Sequence, residues 1–234
     1  MCMKIVESVS YKEGLQLLEV GPGGGAITKY LIQKQGVDFK AVEVDEEKVE
    51  YLLKTYPELE GKLIQKDILK ADKPFEGKFN VIGNFPYNIS SQILFVVLDW
   101  EEDVDEVIGM FQKEVAQRVA SKEGNKVYGI LSVLLQTFFE IEYLFDVPQK
   151  CFTPPPKVMS GVIRMKNTGN PYKIENKKKY KTLVKTAFGQ RRKTLRNALK
   201  PLLSAEALSD KVFDKRAEQL SVEDFVNLYK QYYL

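Results

Sequence analysis

Short apolar runs alternate with segments of helical period along the first two thirds of the chain. "LQLLEV" (15–20) is apolar enough for a strand covered on both faces, and "AITKYLIQKQG" (26–36) follows with helical spacing and ends on Gly36. "FKAVEV" (39–44) predicts a second strand. "DEEKVEYLLKTY" (45–56) predicts a helix opening on acids, which the positive end of its dipole favours. "KLIQKD" (62–67) and "FNVIGN" (79–84) predict strands three and four, and "SSQILFVVLDW" (90–100) a helix capped by Ser90 or Ser91. "EVIGMFQ" (106–112) predicts a fifth strand, with "KEVAQRVASKEG" (113–124) and "YGILSVLLQTFF" (128–139) as helices after it. "EIEYLFDV" (140–147) and "GVIRMK" (161–166) predict strands flanking "CFTPPPKV" (151–158). This alternation specifies an α/β fold with a parallel, doubly wound sheet.

Beyond "NTGNPYKIEN" (167–176) only helical patterns remain: "KKKYKTLVKTAF" (177–188), "RRKTLRNALKPLL" (191–203), "SAEALSDKVF" (204–213) and "VEDFVNLYKQYYL" (222–234). Ser204 and Ser221 stand at cap positions, each followed by acids. The expected organisation is therefore an α/β domain over residues 1–168 and a small all-helical domain over residues 169–234.

The 234 residues contain no histidine, which removes the commonest general base, histidine-dependent nucleophiles and most catalytic zinc sites. No metal is expected. The net charge of +3 hides an asymmetry: residues 166–200 carry twelve Lys/Arg against one acid, Glu175, while the rest holds 23 basic and 31 acidic residues. A mildly acidic body with one basic segment suits an acidic polymer, most simply nucleic acid. No apolar run approaches the roughly 20 residues of a membrane span. Two distant cysteines, Cys2 and Cys151, suggest free thiols and a cytoplasmic protein, expected to be a monomer.

"EVGPGGGA" after the first strand is a glycine-rich turn opening a helix. Gly21 permits a sharp turn, Gly23 lets a ligand approach the main chain, and Gly25 or Ala26 allows helix and strand to pack closely. Glu43, 22 residues after Gly21, stands where a carboxylate binds a ribose diol. The pattern fits NAD as G-x-G-x-x-A and S-adenosylmethionine as G-x-G-x-G. Asp67 is placed to accept a hydrogen bond from an adenine amino group. Together Glu19, Glu43 and Asp67 put three acids at the carboxyl ends of consecutive strands, favouring an adenosine cofactor.

Asn84 opens "NFPYNISSQ" on the same edge. The exocyclic amine of adenine is a poor nucleophile, yet it need not lose a proton before attack. Two acceptors aimed at its hydrogens, the Asn84 side-chain oxygen and the Phe85 carbonyl, would turn its lone pair toward a methyl donor. Pro86 stiffens the turn, and Tyr87 offers a face for a base to stack on.

"NFPYNISSQILF" resembles the N-[LF]-P-Y-N-I-S-S motif of the ribosomal RNA adenine N6,N6-dimethyltransferases. The bacterial branch modifying 16S rRNA, whose loss gives kasugamycin resistance, is the most similar. "LEVGPGGGAIT", "FTPPPKVMSGVIRM", and "FGQRRKTLRNALK" followed by "RAEQLSVEDF" extend the resemblance from about Leu17 to the C terminus. It implies a Rossmann-like S-adenosylmethionine methyltransferase sheet with a helical C-terminal domain. It also implies dimethylation of two adjacent adenines of 16S rRNA in the assembling 30S subunit. Cofactor contacts fall on Glu19, Gly21, Gly23, Glu43, Asp67, Ile68 and Asn84, and the catalytic loop on Asn84, Phe85, Pro86 and Tyr87. Phe152 would face Tyr87 and sandwich a flipped adenine. Lys113, Arg118, Arg191, Arg192, Lys193 and Arg196 become the expected phosphate contacts. The family's opening G-Q-[HN]-F-L segment has no counterpart in the 20 residues before Gly21, so weak cofactor affinity is expected. The rival reading is a small-subunit assembly factor that binds pre-30S particles, with methylation weak or lost. A large-subunit enzyme shares the loop, but "FTPPPKV" with "GQRRKTLRN" favours the small-subunit branch.

Overall fold

A computed structural model describes residues 1–190 and 192–233. In chain order its elements begin α1 (Cys2–Glu7), β1 (Leu15–Val20), α2 (Thr28–Leu31), β2 (Val37–Glu43), α3 (Glu46–Thr55), β3 (Leu63–Gln65), β4 (Phe79–Asn84) and α4 (Ser90–Asp99). They continue with β5 (Val104–Gln112), α5 (Lys113–Ala120), α6 (Ile130–Phe138), β6 (Phe139–Val147), β7 (Ser160–Asn167), α7 (Lys177–Gly189), α8 (Leu195–Ala198) and α9 (Val222–Tyr232). The chain divides into two compact units, one of residues Met1–Ala116 and Glu140–Asn167, the other of Gln117–Phe139 and Thr168–Leu234.

The first unit is built on a seven-stranded sheet of order β3-β2-β1-β4-β5-β7-β6. Strands β1 to β5 pair in parallel, as expected, because each return passes through a crossover segment. The sheet is not wholly parallel: β7 runs antiparallel to β5, with Ser160 opposite Gln112. No crossover helix separates β6 from β7, so β7 need not enter the sheet in the common direction. Leu15, Leu17 and Leu18 of β1 and Val81 and Ile82 of β4 are all buried, the mark of central strands covered on both faces. At the opposite edge Glu106 is 4% exposed but fully engaged. It accepts from the Ser10 backbone and hydroxyl at 2.8 Å each and from the Asn80 amide at 3.2 Å. Arg164 stands 3.4 Å from it and donates to the Ser8 carbonyl at 2.7 Å, tying the segment after α1 to the sheet.

The second unit is helical and includes α6, which a division at residue 168 places with the sheet. The reason is non-local burial. Leu131, Leu134, Leu135 and Phe138 of α6 are buried, and the Thr137 hydroxyl meets the Tyr180 hydroxyl of α7 at 3.0 Å. Tyr180 in turn packs edge-on against Tyr229 of α9, ring centroids 5.6 Å apart. The end of α5 is tied in as well, since Gln136 donates to the carbonyls of Val119 and Ser121 at 2.8 Å.

Several helices are shorter than their patterns. Residues 204–213 form two 3-10 turns, Ala207–Ser209 and Lys211–Asp214, instead of one helix. The Val212 N–H goes to the Asp210 carboxylate, and the Leu208 carbonyl it would otherwise reach is taken by Arg196. Among the described residues the 191–203 pattern yields only α8, and the 26–36 pattern only α2. No serine side chain caps α4: Ile89 occupies the cap, while the Ser90 hydroxyl donates to the Tyr87 carbonyl at 3.2 Å.

Ser221 does cap α9. Its hydroxyl accepts from the Asp224 N–H at 3.0 Å, and the Asp224 carboxylate accepts from the Ser221 N–H at 3.0 Å. Replacing Ser221 by Ala should lower unfolding free energy by about 1 kcal/mol in equilibrium urea denaturation, whereas no loss would mean the cap is redundant.

Candidate active site

The carboxyl ends of β1, β2, β3, β4 and β5 share one edge of the sheet. Between β1 and β4 the strand order reverses, so the segments leaving them diverge and open a crevice. Gly21 leaves β1 at φ +68°, and Gly23 follows at φ +57°, conformations that a side chain would strain. A Cβ on Gly21 would stand 3.4 Å from the Pro86 ring, so the turn after β1 and the loop after β4 lie against each other. The Cβ side of Gly23 is open space, leaving its main chain approachable. Gly25 makes its close approach to Tyr56, beyond the end of α3, and not to a strand.

The three edge acids hold different positions. Glu43 is 7% exposed and accepts three backbone N–H groups: Gly23 at 3.1 Å on Oε2, and Val44 at 2.9 Å and Asp45 at 3.1 Å on Oε1. It shapes the glycine turn and keeps acceptor capacity on Oε2. Asp67 caps a 3-10 turn by accepting the Leu69 N–H at 2.9 Å, which buries the adjoining Ile68. Glu19 lies beneath the surface at 1% exposure, where its Oε2 accepts from the Thr28 hydroxyl at 2.7 Å. Its observed work is to hold the start of α2 against β1. Burial pushes its carboxyl up to about 8 against the opposing pull of the Thr28 bonds, with the Glu43 charge adding to the rise.

The loop after β4 alternates between exposed and buried residues. Asn84 and Pro86 are exposed, Tyr87 is half-buried, and Phe85 has no exposure at all. The Phe85 ring sits on Gly83 and Gly109, cross-strand partners in β4 and β5, with the Phe111 ring 4.9 Å away. The Phe85 N–H donates to the Met110 carbonyl at 3.2 Å. Among the described residues, neither the Asn84 side chain nor the Phe85 carbonyl takes part in a hydrogen bond. Two acceptors, one on each side of a buried anchor, are thus left unused at the crevice. The Tyr87 hydroxyl meets the buried Ser160 hydroxyl at 2.5 Å. Phe152 is half-buried against the core cluster containing Val147 and Val162, and no ring contact joins it to Tyr87 among the described residues.

The expected phosphate contacts separate into groups. Arg192 and Lys193 are exposed and make no ion pair among the described residues. Lys113 is paired with Asp146 at 2.6 Å, a contact that holds the Asp146 carboxyl below its usual range. Arg118 is half-buried and engaged. Arg191 lies outside the described residues. Arg196 has structural partners: its guanidinium donates to Asp214 at 2.7 Å and to the Leu208 carbonyl at 2.5 Å, joining α8 to the 3-10 turns. Charge density along a chain does not show which cations are already spent on carbonyls. Gly83, Gly109, Thr28 and Ser160 also shape the site, and no motif in the chain marks them. The only trace of the first two is a small residue inside each apolar strand. No group of three or more His, Cys, Asp or Glu placed to hold a metal ion occurs among the described residues.

Two consequences can be measured. A methyl group at Gly109 would stand 2.6 Å from the Phe85 ring. Gly109→Ala should therefore cost about 1–3 kcal/mol of stability in urea denaturation, whereas an unchanged midpoint would show that the socket is loose. Glu19 retains its proton in the folded chain up to about pH 8, while the unfolded group releases it near 4.5. The stability it contributes is whole below that lower value and is lost as pH rises toward 8. Glu19→Gln, neutral throughout, should therefore flatten the decline in melting temperature between about pH 5 and 8, and parallel curves for both proteins would refute the assignment.

The family model described as "Ribosomal RNA adenine dimethylase" matches residues 1–233. A "Ribosomal RNA small subunit methyltransferase A" of Cytophaga hutchinsonii is 54% identical over 222 residues, 94% of this chain and 85% of that protein. The protein of the same name from Flavobacterium johnsoniae is 51% identical over 228 residues, 96% of this chain and 87% of that one. Among solved structures, a dimethyladenosine transferase from Plasmodium falciparum superposes with a TM-score of 0.83 at 23% identity, covering 98% of this chain and 94% of that one. The 23S rRNA methyltransferase ErmE does so with 0.70 at 23% identity, covering 98% and 97%. These superpositions agree with the expected Rossmann-like methyltransferase sheet. Matched over nearly its whole length, the chain belongs to the ribosomal RNA adenine dimethylase family of S-adenosylmethionine-dependent methyltransferases.

Proposed function

We propose that this protein dimethylates the N6 amino groups of two adjacent adenines near the 3′ end of 16S rRNA, acting in the cytoplasm on assembling 30S subunits. The observation that carries the reading is the pair of unused acceptors, the Asn84 side chain and the Phe85 carbonyl, beside the β1–β4 crevice. Supporting it are relatives about half identical that are named for small-subunit rRNA methylation.

The residues at the crevice fit the methyl donor. Gly23 has open space on its ligand side, and Oε2 of Glu43 has a lone pair to offer a ribose hydroxyl. Asp67 and Ile68 would take the adenine end, with Gly21 and Asn84 beside the sulfonium. Glu19 would act from below, through Thr28 and the turn. S-adenosylmethionine supplies an electrophilic methyl group. The chain's own work is then orientation. The Asn84 oxygen and the Phe85 carbonyl accept the two amine hydrogens and present the nitrogen lone pair. Pro86 holds the turn, and Tyr87 and Phe152 enclose the flat base. S-adenosylhomocysteine is the leaving group, and the proton left on the methylated nitrogen passes to water without a histidine, since such an amine is a strong acid once alkylated. Positioning of this kind supplies most of the rate gain. The first unit acts as the methyltransferase domain and the second as the RNA-binding domain. Arg192 and Lys193, exposed and in no ion pair among the described residues, provide charge for phosphates, with Arg118, Arg191, Lys113 and Arg196 as further contacts.

The test is methyl transfer from labelled S-adenosylmethionine to unmethylated 30S subunits. Wild-type protein should label two adjacent adenines, and Asn84→Ala should lower kcat by about 100-fold while still binding 30S particles. Intact 30S binding without transfer by the wild type would favour an assembly factor. Full activity of Asn84→Ala would refute the role of the loop.

A further inference from the structure

A ring that only stacks on a base needs no hydroxyl, so the Tyr87 hydroxyl calls for its own explanation. It ends on Ser160, whose side chain has no solvent exposure and meets no other hydrogen-bonding partner among the described residues. Ser160 is the first residue of β7, opposite Gln112, the last of β5. Its neighbour Met159 accepts the Lys113 N–H at 2.9 Å, and Gly161 closes against the Tyr143 ring, so the start of β7 is held on both sides. The other end of Tyr87 is held as well: the Ile89 N–H returns to the Pro86 carbonyl at 3.2 Å and the Ser90 hydroxyl to the Tyr87 carbonyl at 3.2 Å. The residue is therefore held at its backbone and at its tip, which fixes the direction of the axis through its ring.

We propose that Ser160 is a positioning residue that fixes the direction of the Tyr87 ring axis and, through the segment 152–159, its separation from Phe152. This rests on the reading of Tyr87 and Phe152 as the two faces that enclose the target base. Residues 152–159 run directly into Ser160, so one hydroxyl ties the β4 loop to the strand into which the segment bearing Phe152 leads. A base between two rings needs them about 7 Å apart, twice a van der Waals contact. A loop that drifts by 1 Å loses much of its positioning advantage.

A double-mutant cycle tests the bond. Ser160→Ala, Tyr87→Phe and the double variant are assayed for methyl transfer to unmethylated 30S subunits, with Asn84→Ala as the reference for the loop. Each single variant should lower kcat about tenfold with an unchanged KM for S-adenosylmethionine. The double variant should be no slower than either single, because both remove the same interaction. A wild-type kcat for Ser160→Ala, or a double-variant loss equal to the product of the two single losses, would overturn the proposal. If Ser160→Ala melts below the assay temperature, Tyr87→Phe removes the same bond from the exposed side, and a wild-type kcat there overturns it equally. An active Asn84→Ala would instead bring down the parent reading of the loop, an outcome distinct from failure of the Ser160 bond alone.

Discussion

The catalytic edge depends on the burial of one ring. Asn84 and Pro86 both face solvent, and a loop of two exposed residues would have no fixed place of its own. The Phe85 ring between them has no exposure, and the socket that accepts it exists only because two cross-strand partners, Gly83 and Gly109, lack side chains. Burial of a phenyl ring is worth about 2–3 kcal/mol. Here it fixes the two polar groups that flank the ring, the amide before it and the carbonyl after it. Non-directional hydrophobic burial thus yields directional chemistry.

The acids along the same edge show a comparable division. Glu43 is anchored by three backbone N–H groups, so its orientation is set before any ligand arrives, and preorganised groups of this kind lose little on binding. Glu19, one strand over, is closed off from solvent and devoted to Thr28. Two glutamates near the ends of neighbouring strands, two residues apart in register, therefore do different work because one meets N–H groups at a turn and the other a single hydroxyl in the core.

Much of this was legible in the chain itself, and the exceptions share a cause. The central strands announce themselves as continuous apolar runs because both faces are covered. The loop after β4 stands out because asparagine, proline and two aromatics rarely adjoin without a purpose. What could not be read was whatever depends on partners distant in sequence. Residues 117–139 join the helical unit because Thr137 and Phe138 find Tyr180 and its neighbours there. The 204–213 helix fails because Arg196, twelve residues before Leu208, occupies a carbonyl that the helix would need. The antiparallel entry of β7 follows from its lack of a crossover, which strand patterns do not encode. Ser160 reads as any residue leading into a strand, because its partner, the Tyr87 hydroxyl, lies 73 residues away in sequence.

The division of the chain has a further consequence during synthesis. The first unit is complete once Asn167 has left the ribosome, but α6, already emerged, belongs to the other unit and packs with α7 and α9. Its apolar face, including Leu131, Leu134, Leu135 and Phe138, therefore has no partner until α7 is made and lacks its full partners until α9 follows. At roughly 5–20 residues per second that delay is a matter of several seconds, spent beside a finished domain. A nascent chain in this state is the form most exposed to wrong association. Its protection rests on how quickly the C-terminal helices arrive, a property of translation that no contact in the finished fold reveals.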